Sequence, residues 1–345
     1  MSRLLSALLC LSFAACSCPT SGGGMSTSYP TLGSIERKDP RLDALIPPGA
    51  KMEVLAGGFD WTEGPLWIKD GGYLIFSVIP PNKIVKWKEG VGASIYLRPS
   101  GLTTGQDLRS EPGSNGLLLD PQGRLVLCQH GDRRMARMNA PLSAPKPDFA
   151  TIVDKHEGKK LNSPNDAAFH SSGALYFTDP PYGLVKRMDD PTKEIPYQGV
   201  YRVGTDGAIT LLTKEVTRPN GIAFSPDEKT LYVASSDPDK AVWHAFPVNP
   251  DGTLGAGRIF ADFTPQFLAK AKGLPDGLKV DVKGNLFATG PGGVIIFAPD
   301  GTHLGTLNTG QNTSNCAWGD DGSTLYITAD QYLVRIRTST KGNKF

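Results

Sequence analysis

The stretch PNGIAFSPDEKTLYVAS, residues 219–235, decides how the rest of this chain is read. It divides into an opening Pro219-Asn220-Gly221, a run Ile222-Ala223-Phe224, a turn built on Pro226-Asp227-Glu228, and a second run Thr230-Leu231-Tyr232-Val233-Ala234. β-Branched and aromatic residues on either side of a Pro/Asp turn read as two antiparallel strands. The same phrase recurs through the chain. Glu63-Gly64-Pro65-Leu66-Trp67 leads through Asp70-Gly71-Gly72 to Tyr73-Leu74-Ile75-Phe76-Ser77, and further copies open at Asn115-Gly116, Asn165-Asp166, Asp276-Gly277 and Asn315-Cys316. The openings at 63, 115, 165, 220, 276 and 315 set a period of ~50 residues. Third and fourth apolar runs follow, such as Gly199-Val200-Tyr201-Arg202-Val203 and Ile209-Thr210-Leu211-Leu212. About four strands per such unit is the pattern of a propeller blade. Six units predict an all-β, six-bladed β-propeller, and the run at 51–55 is expected to supply the outer strand that closes the last blade.

Composition agrees. Forty Gly and 28 Pro make about a fifth of the 345 residues, which leaves little room for long helices. The formal charge of +2, from 36 Lys+Arg against 34 Asp+Glu, gives no polybasic face for nucleic acid or a membrane surface. No nucleic-acid partner is expected.

The N-terminus reads as an export signal: Arg3, then a mostly apolar run to Ala15, too short for a membrane span. Its end, Phe13-Ala14-Ala15-Cys16, resembles a bacterial lipoprotein box. We therefore expect residues 1–16 to be a signal, a lipid anchor on Cys16, a flexible Gly/Ser/Thr-rich tether over 17–38 and the propeller over 39–345, with no transmembrane helix in the mature chain. Simple cleavage near Ala14 or Ala15, or a start at Met25, are the alternatives. The expected location is the periplasm or outer membrane of a bacterium. Only Cys128 and Cys316 of the five cysteines belong to the body. Their spacing reads as buried free thiols rather than a disulfide or zinc motif.

Equivalent repeat positions become a ring in a propeller. Glu63, Asn115, Asn165, Asn220, Asp276 and Asn315 open the innermost strands, so all six should surround one mouth of the central channel. Each carries a side-chain oxygen. Such a set, without thiol or imidazole, selects a hard cation. Calcium fits best because it accepts neutral carbonyls beside carboxylates, with magnesium, manganese and zinc as alternatives. Glu63 and Asp276 are the ring's two acids. Ends of second strands return to the same mouth, which adds His130 and Tyr182 to Asn115 of the ring as candidate substrate contacts.

These phrases carry a resemblance. Thr62-Glu63-Gly64-Pro65-Leu66-Trp67, Ser163-Pro164-Asn165-Asp166, Tyr176-Phe177-Thr178-Asp179-Pro180-Pro181-Tyr182-Gly183, Pro219-Asn220-Gly221 and Leu274-Pro275-Asp276-Gly277 resemble the gluconolactonase, or senescence marker protein (regucalcin), family of metal-dependent sugar lactonases. The resemblance implies that Glu63, Asn220 and Asp276 bind the metal. It further implies that Asn165 contacts substrate or completes the metal shell, and that Asp276 is also the acid-base group. Animal members place an arginine two residues ahead of the Asn165 position, where this chain has Ser163.

The implied reaction is the opening of a lactone by water, with a cation polarising the carbonyl and Asp276 taking the proton. No Gly-x-Ser-x-Gly elbow supports a serine hydrolase, and no Gly-x-Gly-x-x-Gly turn supports a nicotinamide enzyme. A diisopropyl fluorophosphatase-like phosphotriesterase, another lactonase on the same metal, and a non-enzymatic ligand-binding propeller are the competing functions.

Overall fold

The computed structural model describes residues 28–105 and 111–344. Six antiparallel sheets of four or five strands follow one another around a channel as the blades of a β-propeller. Blade 1 is Thr62–Ile68, Tyr73–Val78, Lys83–Lys88 and Gly92–Leu97, from the channel outward. Blades 2, 4 and 6 begin with Ser114–Leu119, Pro219–Phe224 and Thr313–Gly319. Blades 3 and 5 have shorter inner strands, Ala167–Phe169 and Leu278–Val280. The inner strand of blade 4 is buried along its whole length, since it has neighbours on both faces and sheet on its outer edge.

The ring closes as the repeat requires. Met52–Ala56 pairs with Tyr332–Arg337 and completes blade 6, which tethers the start of the fold to its end. Aromatic packing reinforces that seam, with Trp67 of blade 1 stacked on Tyr326 of blade 6 at 5.5 Å between ring centroids. Both body cysteines are buried free thiols. The signal, Cys16 and the first part of the tether lie outside the described residues. The tether expectation fails at its C-terminal end. Thr31–Leu32 adds a fifth strand to blade 6 and Ser34–Arg37 a fifth strand to blade 5. Open sheet edges recruit this segment because pairing satisfies backbone groups that its composition leaves uncommitted. Among the described residues no helix is long and apolar enough to cross a membrane.

Neighbouring blades are joined at the level of the ring positions. Ser77 Oγ donates to Asn115 O at 2.7 Å, Gly116 N to Asn165 O at 2.8 Å, and Thr178 Oγ1 to Asn220 O at 2.7 Å. Ser236 Oγ donates to Pro275 O, Gly277 N to Ser314 O at 2.7 Å, and Ser314 Oγ to Thr62 O at 2.6 Å. The six bonds run from blade 1 round to blade 1 again.

Glycine after the ring residue makes these approaches feasible. A Cβ on Gly221 would stand 2.2 Å from the backbone oxygen of Asp276, and one on Gly64 2.1 Å from that of Asn115. Gly221→Ala must therefore push blade 5 away from blade 4, at a cost of about 1–3 kcal/mol or more. Urea unfolding should show that loss, whereas Gly255→Ala, whose nearest neighbour atom would be 3.4 Å away, should stay near wild type.

Candidate functional site

A cavity of ≈ 320 Å³ opens at the mouth of the channel. Glu63, Asn115, Asn165, Asn220 and Asp276 all line it, as does Tyr182. Five of the six ring positions thus meet in one place. Local backbone explains how. Strand pairing slips between Glu63 and Leu66, between Ser114 and Leu117, and between Pro219 and Ile222, so these ring residues sit at irregularities in the ladder. Such irregularities turn side chains out of the sheet's alternation, here into the channel.

Asn315 and His130 stand elsewhere. Asn315 does not line the cavity: its Nδ2 donates to Glu63 Oε2 at 3.2 Å and its Oδ1 accepts from Cys316 N at 2.9 Å. It positions an acid instead of meeting a ligand. His130 is fully buried behind Glu111, with Nδ1 3.5 Å from Glu111 Oε2, and Gly183 packs against its Cβ. It does not line the cavity. Glu111 does, together with Trp61, Arg187 and Arg218. Glu111 lies outside the repeat and carried no signal. Trp61 and Arg218 were readable, since each stands two residues ahead of a ring residue.

Ser236 sets the orientation of Asn220. Its single hydroxyl proton goes to Pro275 O, so toward Asn220 the hydroxyl accepts from Nδ2 at 2.8 Å. The amide nitrogen is thereby occupied and the amide oxygen is left for the site.

The electrostatics are those of an acid cluster. Burial pushes the Glu63 carboxyl up to about 8, with the nearby charges of Asp166 and Glu111 adding to the rise and Gly64 N–H and Asn315 opposing it. Asp276 is raised well above the usual carboxylate range, first by burial and then by Glu63, Asp166 and Glu111. Burial also raises Asp166, against which Lys279 acts. Among the buried side-chain oxygens without a hydrogen-bond partner are Asn115 Oδ1, Asp166 Oδ2 and Asp276 Oδ1. An unpaired buried acceptor costs roughly 1–3 kcal/mol. A hard cation would satisfy such oxygens and remove the penalty on ionising Glu63 and Asp276. Among the described residues no three His, Cys, Asp or Glu form a metal-type group. The donor set is two carboxylates with amide oxygens, a mixture that suits calcium better than zinc. The residues fit a divalent cation.

A propeller that gathers buried acids and amides into one small cavity at its channel mouth defines a class of small-molecule sites. Within that class the family is specific. Residues 61–331 match the model of the SMP-30/Gluconolactonase/LRE-like region, and the chain belongs to that family. It is 41% identical over 319 residues to a gluconolactonase of Zymomonas mobilis, covering 90% of this chain and 88% of that one. The regucalcin of Oryctolagus cuniculus is 26% identical over 273 residues, 77% of this chain and 82% of its own. Among solved structures, the gluconolactonase XC5397 from Xanthomonas campestris superposes with a TM-score of 0.75 at 30% identity, over 91% of this chain and 99% of that one.

The acid cluster makes stability depend on pH when no cation is bound. Glu63 holds its proton in the fold up to about 8 but has an ordinary value of 4.5 once unfolded. The folded state therefore binds more protons, and the stability this contributes is present below 4.5 and lost as pH rises through about 8. Chelator-treated protein should melt at progressively lower temperature across that window, and calcium should flatten the decline. A melting temperature that does not change with pH in chelator would show that Glu63 is already ionised in the cation-free fold.

Proposed function

We propose that this protein is a lactonase that opens the ring of a sugar-acid lactone with water. The observation that carries this reading is the convergence of Glu63, Asn165, Asn220 and Asp276 on one cavity, with Asp276 Oδ1 unpartnered, in a chain 41% identical to a gluconolactonase.

Glu63, Asn220 and Asp276 would hold the divalent cation, with calcium the best match to their oxygens. When bound, the cation acts as a Lewis acid that polarises the lactone carbonyl. The remaining work falls to side chains. Asp276 accepts a proton from the attacking water as its oxygen bonds to the carbonyl carbon. The proton then passes to the ring oxygen as the C–O bond breaks, which leaves a hydroxy acid. Asn115 and Asn165 can donate amide N–H to substrate oxygens. Burial keeps the Tyr182 phenol protonated well past neutrality, so it too meets substrate as a donor. The cavity's small size favours one monocyclic substrate over a polymer.

Asp276→Asn keeps size and one oxygen while removing basicity. At saturating calcium it should lower turnover of glucono-1,5-lactone by ~10²–10⁴-fold in a pH-indicator assay. Glu63→Gln should lose apparent calcium affinity first and recover partly as calcium is raised. Near-normal turnover by Asp276→Asn would reject Asp276 as the base.

We further propose that the chain is exported and carries lipid at Cys16. Cys16→Ser should release it from membranes, and an intact mass showing an unmodified N-terminus at Ala15 or Met25 would reject the anchor.

A further inference from the structure

Two residues ahead of each ring residue, the repeat places a second set of side chains: Trp61, Gly113, Ser163, Arg218, Leu274 and Thr313. Four of these, Trp61, Arg218, Leu274 and Thr313, line the cavity. The set is chemically uneven. Blades 1 and 5 present apolar walls, blade 2 presents no side chain, and blade 4 presents a guanidinium.

Ser163 offers nothing to a ligand. It is fully buried, its hydroxyl donates to Pro180 O at 2.6 Å, and the same oxygen accepts from Gly183 N at 2.9 Å. The position where animal members of the family carry an arginine is thus closed off in this chain. One blade further round, at the matching position, stands Arg218.

Arg218 makes no side-chain hydrogen bond or ion pair among the described residues. Arg187, the other guanidinium of the cavity, is partly committed, with Nη2 3.4 Å from Glu111 Oε1 and a side chain 58% exposed. Arg218 acts electrostatically on the phenol of Tyr182, which lines the same cavity. An uncommitted guanidinium is a rigid fork of donors with no acceptor, suited to two adjacent oxygens. A cavity of ≈ 320 Å³ is at the small end of ligand sites, which run from about 300 to 1,000 Å³, so it suits one small ring with Arg218 at its wall.

We propose that Arg218 is a specificity-determining residue, whose guanidinium hydrogen-bonds adjacent hydroxyl oxygens of the substrate ring and so distinguishes polyhydroxylated lactones from bare ones. The role rests on the lactonase reading above. It moves the guanidinium of the site from blade 3 to blade 4 and fixes which edge of the sugar ring faces Tyr182.

The test compares kcat/KM on glucono-1,5-lactone and on δ-valerolactone, which has the same ring without hydroxyls. A site built to hydrogen-bond a hydroxyl disfavours the analogue that lacks it, and hydrogen bonds to charged groups are worth about 10–100-fold. Arg218→Gln should lower the ratio of the two kcat/KM values by roughly that factor, mainly through a higher KM for the sugar lactone. Arg218→Lys keeps the charge but not the fork and should recover only part of the ratio. It also serves as the informative variant if Arg218→Gln fails to fold. A ratio unchanged within about twofold, or an equal fall in kcat on both lactones with KM unmoved, would overturn the role and leave Arg218 an electrostatic or structural residue. Hydrolysis of neither lactone by the unmodified protein would instead overturn the lactonase reading, and this role with it.

Discussion

The ring of inter-blade hydrogen bonds at the mouth of the channel is the constraint on which both fold and site depend. Asn115, Asn165 and Asn220 accept these bonds through their backbone oxygens while their side chains line the cavity. Pro275 and Ser314 accept them directly beside Asp276 and Asn315. Closure of the propeller therefore positions the site without separate scaffolding. Backbone distances between adjacent blades are held by bonds of 2.5–2.8 Å, so each side chain starts from a fixed place. Preorganisation of this kind is what a hydrolytic site needs, because reorganising it during the reaction would raise the barrier.

The same geometry carries an electrostatic penalty. Bringing Glu63, Asp166 and Asp276 together inside the channel forces each to ionise against burial, and Glu63 and Asp276 against neighbouring acids as well. Lys279 acts on Asp166 and thereby only on part of the cluster. A fold selected for stability alone would place apolar residues or bonded amides at these positions. The acids persist where they are worst for the empty fold and best for a cation, which is the signature of a functional site.

Much of this was legible in the sequence, for a physical reason. A propeller repeats one supersecondary unit, so a local pattern such as Asn220-Gly221 followed by two apolar runs fixes the fold and the equivalent positions of every blade at once. The repeat could not show that Asn315 does not line the cavity. Gly277 packs so closely that a Cβ there would lie 2.0 Å from Asn315 Cγ, and the amide is held against Glu63 and Cys316. Nor could it place His130, whose strand end is covered by Gly183 from the following blade. Glu111 and Arg187 come from connections between strands, where neither period nor pairing constrains the sequence. The strands at Thr31–Leu32 and Ser34–Arg37 were missed because their pairing is dictated by open blade edges and not by their own composition.

The division of labour along the inner strand explains how such a fold can keep its architecture while its chemistry varies. Four of the ring residues are followed by a glycine that serves closure and tolerates little: Gly64 and Gly221 both abut the next blade's backbone. In five blades the ring residue lines the cavity. The residue two places earlier takes no part in the six joining bonds, yet in four blades it faces the cavity. Exchanging that residue in one blade alters one wall of the site and leaves the six joining bonds intact. Ser163 and Arg218 show both outcomes in a single chain, one turned inward into the hydrogen-bonding of its own blade and the other left with an uncommitted guanidinium at the cavity wall. Substrate preference can therefore change blade by blade at this register, at little cost to the fold that holds the acids in place.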